Sequence, residues 1–253
     1  MSLRAAFTAL ALAAAALLPS LLPSQAGAVS CEGASHEGKR YTLCTVGADE
    51  DLRTFLRAPD GTVWGHFSTL DAALRQKGER LAFAMNAGMY HEDRAPVGHY
   101  VENGQEKMRV ISSPGPGNFG MLPNGVLCIG AGEAQVYETR DFLTRKPDCR
   151  YATQSGPMLV IDGELHPRFL PDSNSRYIRN GVGTTADGKT LVFAISEEPV
   201  SFYEFGTLFR DGLKMPNALF FDGNVSRLFA PEVGRTDIGR TLGPLIGVVV
   251  PAE

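Results

Sequence analysis

Leu219-Phe220-Phe221-Asp222-Gly223-Asn224-Val225-Ser226 is the stretch on which the reading of this chain turns. A short apolar run ends in an acid, a glycine and an asparagine, with a serine two residues on. Such a run reads as a buried strand. Its terminal Asp-Gly delivers a carboxylate at the sheet edge, where loops gather and sites form. Gly223 lets the backbone turn away where a side chain would block it.

Other polar strand ends lie upstream. Residues 81–85 form an apolar run into Asn86-Ala87-Gly88, a turn that could orient a polar ligand through its amide. Pro96-Val97-Gly98-His99 sets a histidine after a glycine, available as a proton donor or hydrogen-bond partner. Ser155-Gly156-Pro157 lacks the flanking glycines of a G-x-S-x-G elbow, so it predicts a backbone N–H loop and not a serine nucleophile. Arg179 stands in an apolar run beside Asn180, Gly181 and Gly183. Glycines there allow close approach, and a guanidinium suits bidentate binding of phosphate or carboxylate. The alternative role for Arg179 is a structural ion pair with Asp222 or Glu197. Ser196-Glu197-Glu198 ends a further run, and alternation lets only one of the two acids face the site.

The run of short strands and turns predicts an α+β fold: a mixed, mostly antiparallel sheet flanked by a few helices in a single domain. Asn103-Gly104 is a strong hairpin signal, and Asp162-Gly163 and Asp187-Gly188 mark further turns. Residues 119–122 read as another short strand. Ser68 is expected to cap a helix that buries Leu70, Ala73 and Leu74. Thr139 is expected to cap a short helix reaching Arg145. Ser201-Phe202-Tyr203-Glu204 has capping-box spacing, with Phe202, Phe205, Phe209 and Leu213 on one face.

Residues 1–28 read as a signal peptide, with Arg4 before an apolar stretch and an Ala26-Gly27-Ala28 cleavage site. The mature chain is then periplasmic or secreted. A lipid anchor at Cys31 is the weaker reading, because Ala28-Val29-Ser30 lacks the usual leading Leu. Residues 29–40 are polar and read as a mobile segment ahead of a domain over 41–253. The remaining chain, about 225 residues, can bury one sizeable core. Its formal charge of −4, or −5 once Arg4 is removed, comes with no basic run, which argues against a nucleic-acid partner. No second long apolar stretch suggests a transmembrane segment in the mature chain. The four cysteines, Cys31, Cys44, Cys128 and Cys149, allow three disulfide pairings, and proximity favours Cys31–Cys44 with Cys128–Cys149. No histidine pair has metal-ligand spacing, so no cofactor is expected and a divalent-metal requirement stays open.

Four segments, taken in order, resemble those of a known family. Asn86-Ala87-Gly88-Met89-Tyr90 resembles its Asn-Gly-Gly-Phe-Phe segment, and Ser155-Gly156-Pro157 its Ser-Gly-Pro. Arg179-Asn180-Gly181-Val182-Gly183 resembles its Arg-Thr-Ala-x-Gly, and Asn217-Ala218-Leu219-Phe220-Phe221-Asp222-Gly223 its Asn-Ala-x-x-Leu-Asp-Gly. From about residue 80 onward the chain is similar to the phosphodiester glycosidases, and most of all to a bacterial, exported branch. The family's Asp-Gly-Gly-Gly-Ser stands here as Asp222-Gly223-Asn224-Val225-Ser226. The resemblance implies hydrolysis of a sugar-1-phosphodiester at a site on one sheet edge, on a glycan of the cell envelope or beyond.

The chemistry of that bond narrows the roles. The leaving group is a phosphate monoester with a second pKa of about 6, so it departs as a stable anion. A strong general acid is less necessary than in ordinary glycoside cleavage. The site needs a cation on the phosphate, assigned to Arg179, and a carboxylate at the anomeric centre, either Asp222 or Glu197. Asn86, Gly88, His99, Ser155, Gly156, Asn180, Gly223 and Ser226 are the candidate substrate-binding residues. The alternatives are a phosphodiesterase that breaks the phosphorus–oxygen bond and a non-catalytic glycan-binding protein.

Overall fold

A seven-stranded antiparallel sheet carries Phe220 and Phe221 on opposite faces, and this alternation organises the molecule. The computed structural model describes residues 29–252. The expected signal peptide lies outside them. In chain order the strands are β1 (Val29–His36), β2 (Lys39–Gly47), β3 (Leu52–Phe55), β4 (Glu79–Asn86), β5 (Tyr100–Glu102), β6 (Gln105–Met108), β7 (Gly125–Ile129), β8 (Ala134–Glu138) and β9 (Tyr151–Ser155). They continue with β10 (Met158–Ile161), β11 (Glu164–Leu165), β12 (Asn180–Thr184), β13 (Thr190–Ser196), β14 (Asn217–Phe220), β15 (Leu228–Ala230), β16 (Arg235–Thr236) and β17 (Leu245–Pro251). Helices α1 (Phe67–Arg75) and α2 (Thr139–Arg145) are joined by α3 (Phe202–Thr207), which runs on into a π-helical turn over Leu208–Gly212.

The first sheet has the order β1-β2-β13-β12-β14-β10-β11. The second is β16-β15-β4-β17-β3 and the third β6-β5-β9-β7-β8. All the paired strands are antiparallel, as the hairpin-rich sequence predicts. The three sheets share one core. Phe83 of β4 meets Phe193 of β13 with ring centroids 4.8 Å apart, and Phe221, Leu127, Val182 and Ile246 pack in the same cluster. On the other face of the first sheet Phe220 packs with Phe205 of α3 and Phe209 of the π-helical turn. Burial of one such aromatic side chain contributes about 1.5–3 kcal/mol.

Several local expectations need correction. Residues 29–40 are not a mobile segment: Val29–His36 pairs residue for residue with β2, and Cys31 faces Cys44 across the ladder in a disulfide. Alternation explains this, since Val29 and Cys31 point inward between exposed polar residues. Cys128–Cys149 is the second disulfide. Helix α1 starts one residue before Ser68, with His66 at the N-cap and no side-chain cap, because Phe67 is needed in the buried stripe with Leu70 and Leu74. Glu138, not Thr139, caps α2 by accepting from the backbone N–H of Arg140 and Asp141. Residues 119–122 turn instead of pairing. The Ser201/Glu204 capping box is formed, and Asn103-Gly104 turns with both residues at positive φ, 51° and 74°.

Candidate functional site

The ends of β4, β9 and β14 and the starts of β12 and β17 converge at one edge of the core. Asp222 is the first residue after Phe221, whose backbone N–H donates to the Asn180 carbonyl at 3.0 Å. Asn180 is fully buried at the start of β12. Its Oδ1 accepts from the Asp222 backbone N–H at 3.3 Å, and its Nδ2 donates to Asn86 Oδ1 at 3.0 Å. Asn86 Oδ1 also accepts from the Arg227 backbone N–H at 2.9 Å. These backbone donors fix the orientation of both carboxamides, because only oxygen can face an N–H. The Ser226 hydroxyl lies 2.8 Å from the Asp222 carbonyl, 2.9 Å from the Ile178 carbonyl and 3.2 Å from Asn180 Oδ1. Ser155 Oγ donates to the Phe221 carbonyl at 2.6 Å, tying the third sheet to the residue before Asp222. Asn86, Ser155, Asn180, Asp222, Gly223 and Ser226 are thus brought together.

The network leaves two groups available. Asn86 Nδ2 is buried with no hydrogen-bond partner among the described residues. Among the described residues the Asp222 carboxylate accepts only from the Asn224 N–H, at 3.0 Å. Burial raises the Asp222 pKa, and the Asn224 bond offsets that in part. Gly223 follows in the turn, where an added Cβ would lie 3.2 Å from the Phe220 ring.

The glycines at 88 and 156 do packing work. A Cβ on Gly88 would sit 2.3 Å from the Gln154 carbonyl oxygen, and one on Gly156 would sit 2.7 Å from Asn124 Cβ. The Gly88 N–H donates to Thr153 Oγ1 at 3.1 Å. These contacts let the loop after β4 lie directly on the third sheet.

Three of the expected site residues are not joined to this network. Arg179 precedes Asn180, so its side chain leaves the opposite face of the strand. Its guanidinium lies 3.6 Å from the Phe202 ring centroid, and it donates to the carbonyls of Val200 and Ser175 at 2.9 and 3.0 Å. It pairs with neither Asp222 nor Glu197, and burial lowers its pKa to about 10. Glu197 accepts from Thr42 Oγ1 at 2.6 Å and forms an ion pair with Arg235 at 2.5 Å. His99 is buried between the third sheet and α2, with Nδ1 3.0 Å from the Met108 carbonyl and its ring 5.2 Å from Phe142. A carbonyl only accepts, so Nδ1 carries the proton. Burial lowers the His99 pKa, while the Met108 carbonyl and Glu106, 3.4 Å from Nδ1, oppose the shift.

Residues absent from the sequence-based set flank Asp222 instead. The Tyr90 ring lies on Gly243, where a Cβ would come within 2.4 Å of its Cγ. Burial raises the Tyr90 phenol, the Asp222 charge raises it further, and Arg94 and Arg227 oppose the rise. The Tyr90 signal was present in the Asn86–Tyr90 segment, but Arg227 and Gly243 come from distant parts of the chain. Among the described residues no group of three or more His, Cys, Asp or Glu is arranged to hold a metal ion. No helix among them is long and apolar enough to cross a membrane.

Comparisons with known proteins define the class. The phosphodiester glycosidase family model matches residues 79–249. The uncharacterized protein YigE of Escherichia coli K12 is 34% identical over 180 residues, covering 71% of this chain and 70% of YigE. The chain belongs to the phosphodiester glycosidase family. Its fold is similar to the catalytic domain of zebrafish N-acetylglucosamine-1-phosphodiester alpha-N-acetylglucosaminidase, solved as a form auto-inhibited by its pro-peptide. That likeness has a TM-score of 0.58 at 12% identity, over 87% of this chain and 81% of that one. A putative exported protein of Burkholderia pseudomallei K96243 has a TM-score of 0.50 at 11% identity, over 83% and 74% of the two chains.

Proposed function

We propose that this protein hydrolyses a sugar-1-phosphodiester at the Asp222 edge, breaking the bond between the anomeric carbon and the phosphate oxygen. The observation that carries the reading is Asp222 itself. Its backbone is clamped by Asn180, and its carboxylate is partly shielded from water with no ion pair among the described residues. A carboxylate with a raised pKa is a better proton acceptor near neutral pH. In the proposed step, water adds to the anomeric carbon and gives its proton to Asp222. The C1–O bond breaks, and its electron pair leaves on the phosphate monoester. No proton need be supplied to that leaving group, whose second pKa is about 6. Asp222 is preferred to Glu197 because the Glu197 carboxylate is engaged by Arg235 and Thr42.

The family assignment supports a hydrolase, and the named activity of the zebrafish protein suggests an N-acetylglucosamine-type sugar as the first probe. Two disulfides and the export pattern of residues 1–28 support a periplasmic or secreted location. The test is release of free sugar from UDP-N-acetylglucosamine and a panel of sugar-1-phosphodiesters across pH. Asp222 must be ionised to accept the proton. Activity should therefore fall as pH drops through a limb lying above the ordinary aspartate value of about 3.9. A rate that stays flat below that value, or no release from any substrate, would remove Asp222 from this role.

A further inference from the structure

Arg179 is 1% exposed, and among the described residues it forms no ion pair. Burying a cation without a counter-charge costs stability, and a neutral side chain of similar size would avoid that cost. Natural sites keep such a cost where a geometry is needed for function. The geometry here is a fork that reaches two elements at once. Nε donates to the Val200 carbonyl just ahead of α3, and Nη2 donates to the Ser175 carbonyl in the loop after β11. The flat face of the guanidinium lies on the Phe202 ring. Phe202 in turn stacks on Phe169 at 5.2 Å and 7°, and Phe169 on His166 at 4.8 Å. This column pins the loop over residues 166–178 to α3. Tyr177 closes the same joint by exchanging backbone bonds with Val200 at 3.2 and 2.9 Å, and Arg176 pairs with Glu204 of the capping box.

The joint ends where the site begins. Ile178, between Tyr177 and Arg179, accepts the Ser226 hydroxyl on its carbonyl at 2.9 Å. A Cβ on Gly223 would lie 3.6 Å from the same oxygen. Asn180, on the other side of Arg179, accepts the Asp222 N–H. The Arg179 backbone itself is fixed on Ser196: its N–H donates to Ser196 Oγ, and its carbonyl accepts the Ser196 N–H, both at 2.9 Å. Phe202 also meets the Phe220 ring edge-on at 4.8 Å, two residues before Asp222. We propose that Arg179 is a positioning residue: seated on Phe202, it fixes residues 178–180, and through them the backbone of the turn from Asp222 to Ser226. Lysine would keep the charge but has neither a flat face for the ring nor a planar fork for two carbonyls. That this positioning serves hydrolysis rests on the sugar-phosphodiester reading; the positioning itself does not.

The test is residue-resolved amide hydrogen exchange of the mature protein at pH 7, read at Asp222. Leu127 of β7, held between β9 and β8 in the third sheet, is the internal reference. In Arg179→Met the Asp222 amide should exchange about 10- to 100-fold faster, the effect of losing a charge-assisted bond. Leu127 should keep its parental rate, because the opening is local. Arg179→Lys should resemble Arg179→Met. Arg145→Gln, on the exposed face of α2, should change neither amide. If the Arg179 variants do not fold, Phe202→Leu removes the platform under the guanidinium and should speed Asp222 exchange in the same way. In turnover of a sugar-1-phosphodiester, Arg179→Lys should lower kcat by about 10-fold or more with KM little changed, since the fork holds the backbone of the acid and not the substrate. Faster exchange at Asp222 in a protein whose parent hydrolyses no sugar-1-phosphodiester would uphold the positioning and remove the hydrolase reading. Equal acceleration at Asp222 and Leu127 would make Arg179 a general stabilising residue and overturn the proposal. So would a parental Asp222 rate in Arg179→Met or, where that variant does not fold, in Phe202→Leu.

Discussion

Asp222→Asn should lower kcat/KM by roughly 10²–10⁴-fold and yet melt at a higher temperature than the parent at pH 7. The two effects have one origin. Folding buries the carboxylate and raises its pKa, so the charged form is a cost to the native state at neutral pH. The sign follows from that shift. A raised carboxyl favours folding below its unfolded value of about 3.9, and the benefit is lost as pH rises through the folded value. Asn carries no charge, and its Oδ1 can still accept the Asn224 N–H now held at 3.0 Å. The stability advantage of the variant should therefore shrink as pH falls toward 4. Steady-state kinetics and thermal melts at pH 7 and pH 4 check this. Parental turnover, or a lower melting temperature at pH 7, would contradict it. Natural sites carry such costs where the charge is needed for function.

Asn180→Ala should be the most damaging single change near the site that removes no charge. Asn180 accepts from the Asp222 N–H, lies within reach of the Ser226 hydroxyl and donates to Asn86, so the truncation strands the Asp222 N–H, while Asn86 Oδ1 keeps the Arg227 N–H and Ser226 keeps the Asp222 and Ile178 carbonyls. A buried group left without its partner costs about 1–3 kcal/mol. The expected loss is about 1–3 kcal/mol in urea unfolding. Activity should also fall, by about 10²-fold, at temperatures where the variant stays folded, because Asp222 is no longer held in register. Unchanged unfolding midpoints would show that the Asn86–Asn180 pair does not organise this edge.

Much of the fold was legible because its signals are local. The hairpin at Asn103-Gly104, the Ser201/Glu204 capping box and the apolar run into Asp222 each depend on a few neighbouring residues. The burial of residues 29–36 was missed because their composition is polar. The alternation of Val29 and Cys31, and the partner offered by residues 39–47, carried the signal instead. At the site, Asn86, Asp222 and Ser226 were marked by their positions at strand ends, Ser155 by its Ser-Gly-Pro loop and Asn180 by the family-like segment it shares with Arg179. Arg179 was not brought there because adjacent residues on a strand face opposite ways. The alternation used to separate Glu197 from Glu198 applies equally to Arg179 and Asn180. Arg227, Thr241 and Gly243 meet Tyr90 only through the long return of the chain after β14, and no short motif encodes that. The two residues that depart from the family's glycines also find local explanations. Val225 packs beside the α1 core cluster, and Asn224 is exposed while its backbone N–H serves Asp222.

The most direct test of the central claim is hydrolysis of UDP-N-acetylglucosamine in ¹⁸O-water, with Asp222→Asn run in parallel and the phosphate-containing product read by mass spectrometry. The phosphate is the informative product, because the anomeric oxygen of a free sugar exchanges with water. Attack of water at the anomeric carbon predicts an unlabelled phosphate product from the parent and no product from the variant. An ¹⁸O atom in the phosphate product would show cleavage of the phosphorus–oxygen bond and contradict the mechanism assigned to Asp222.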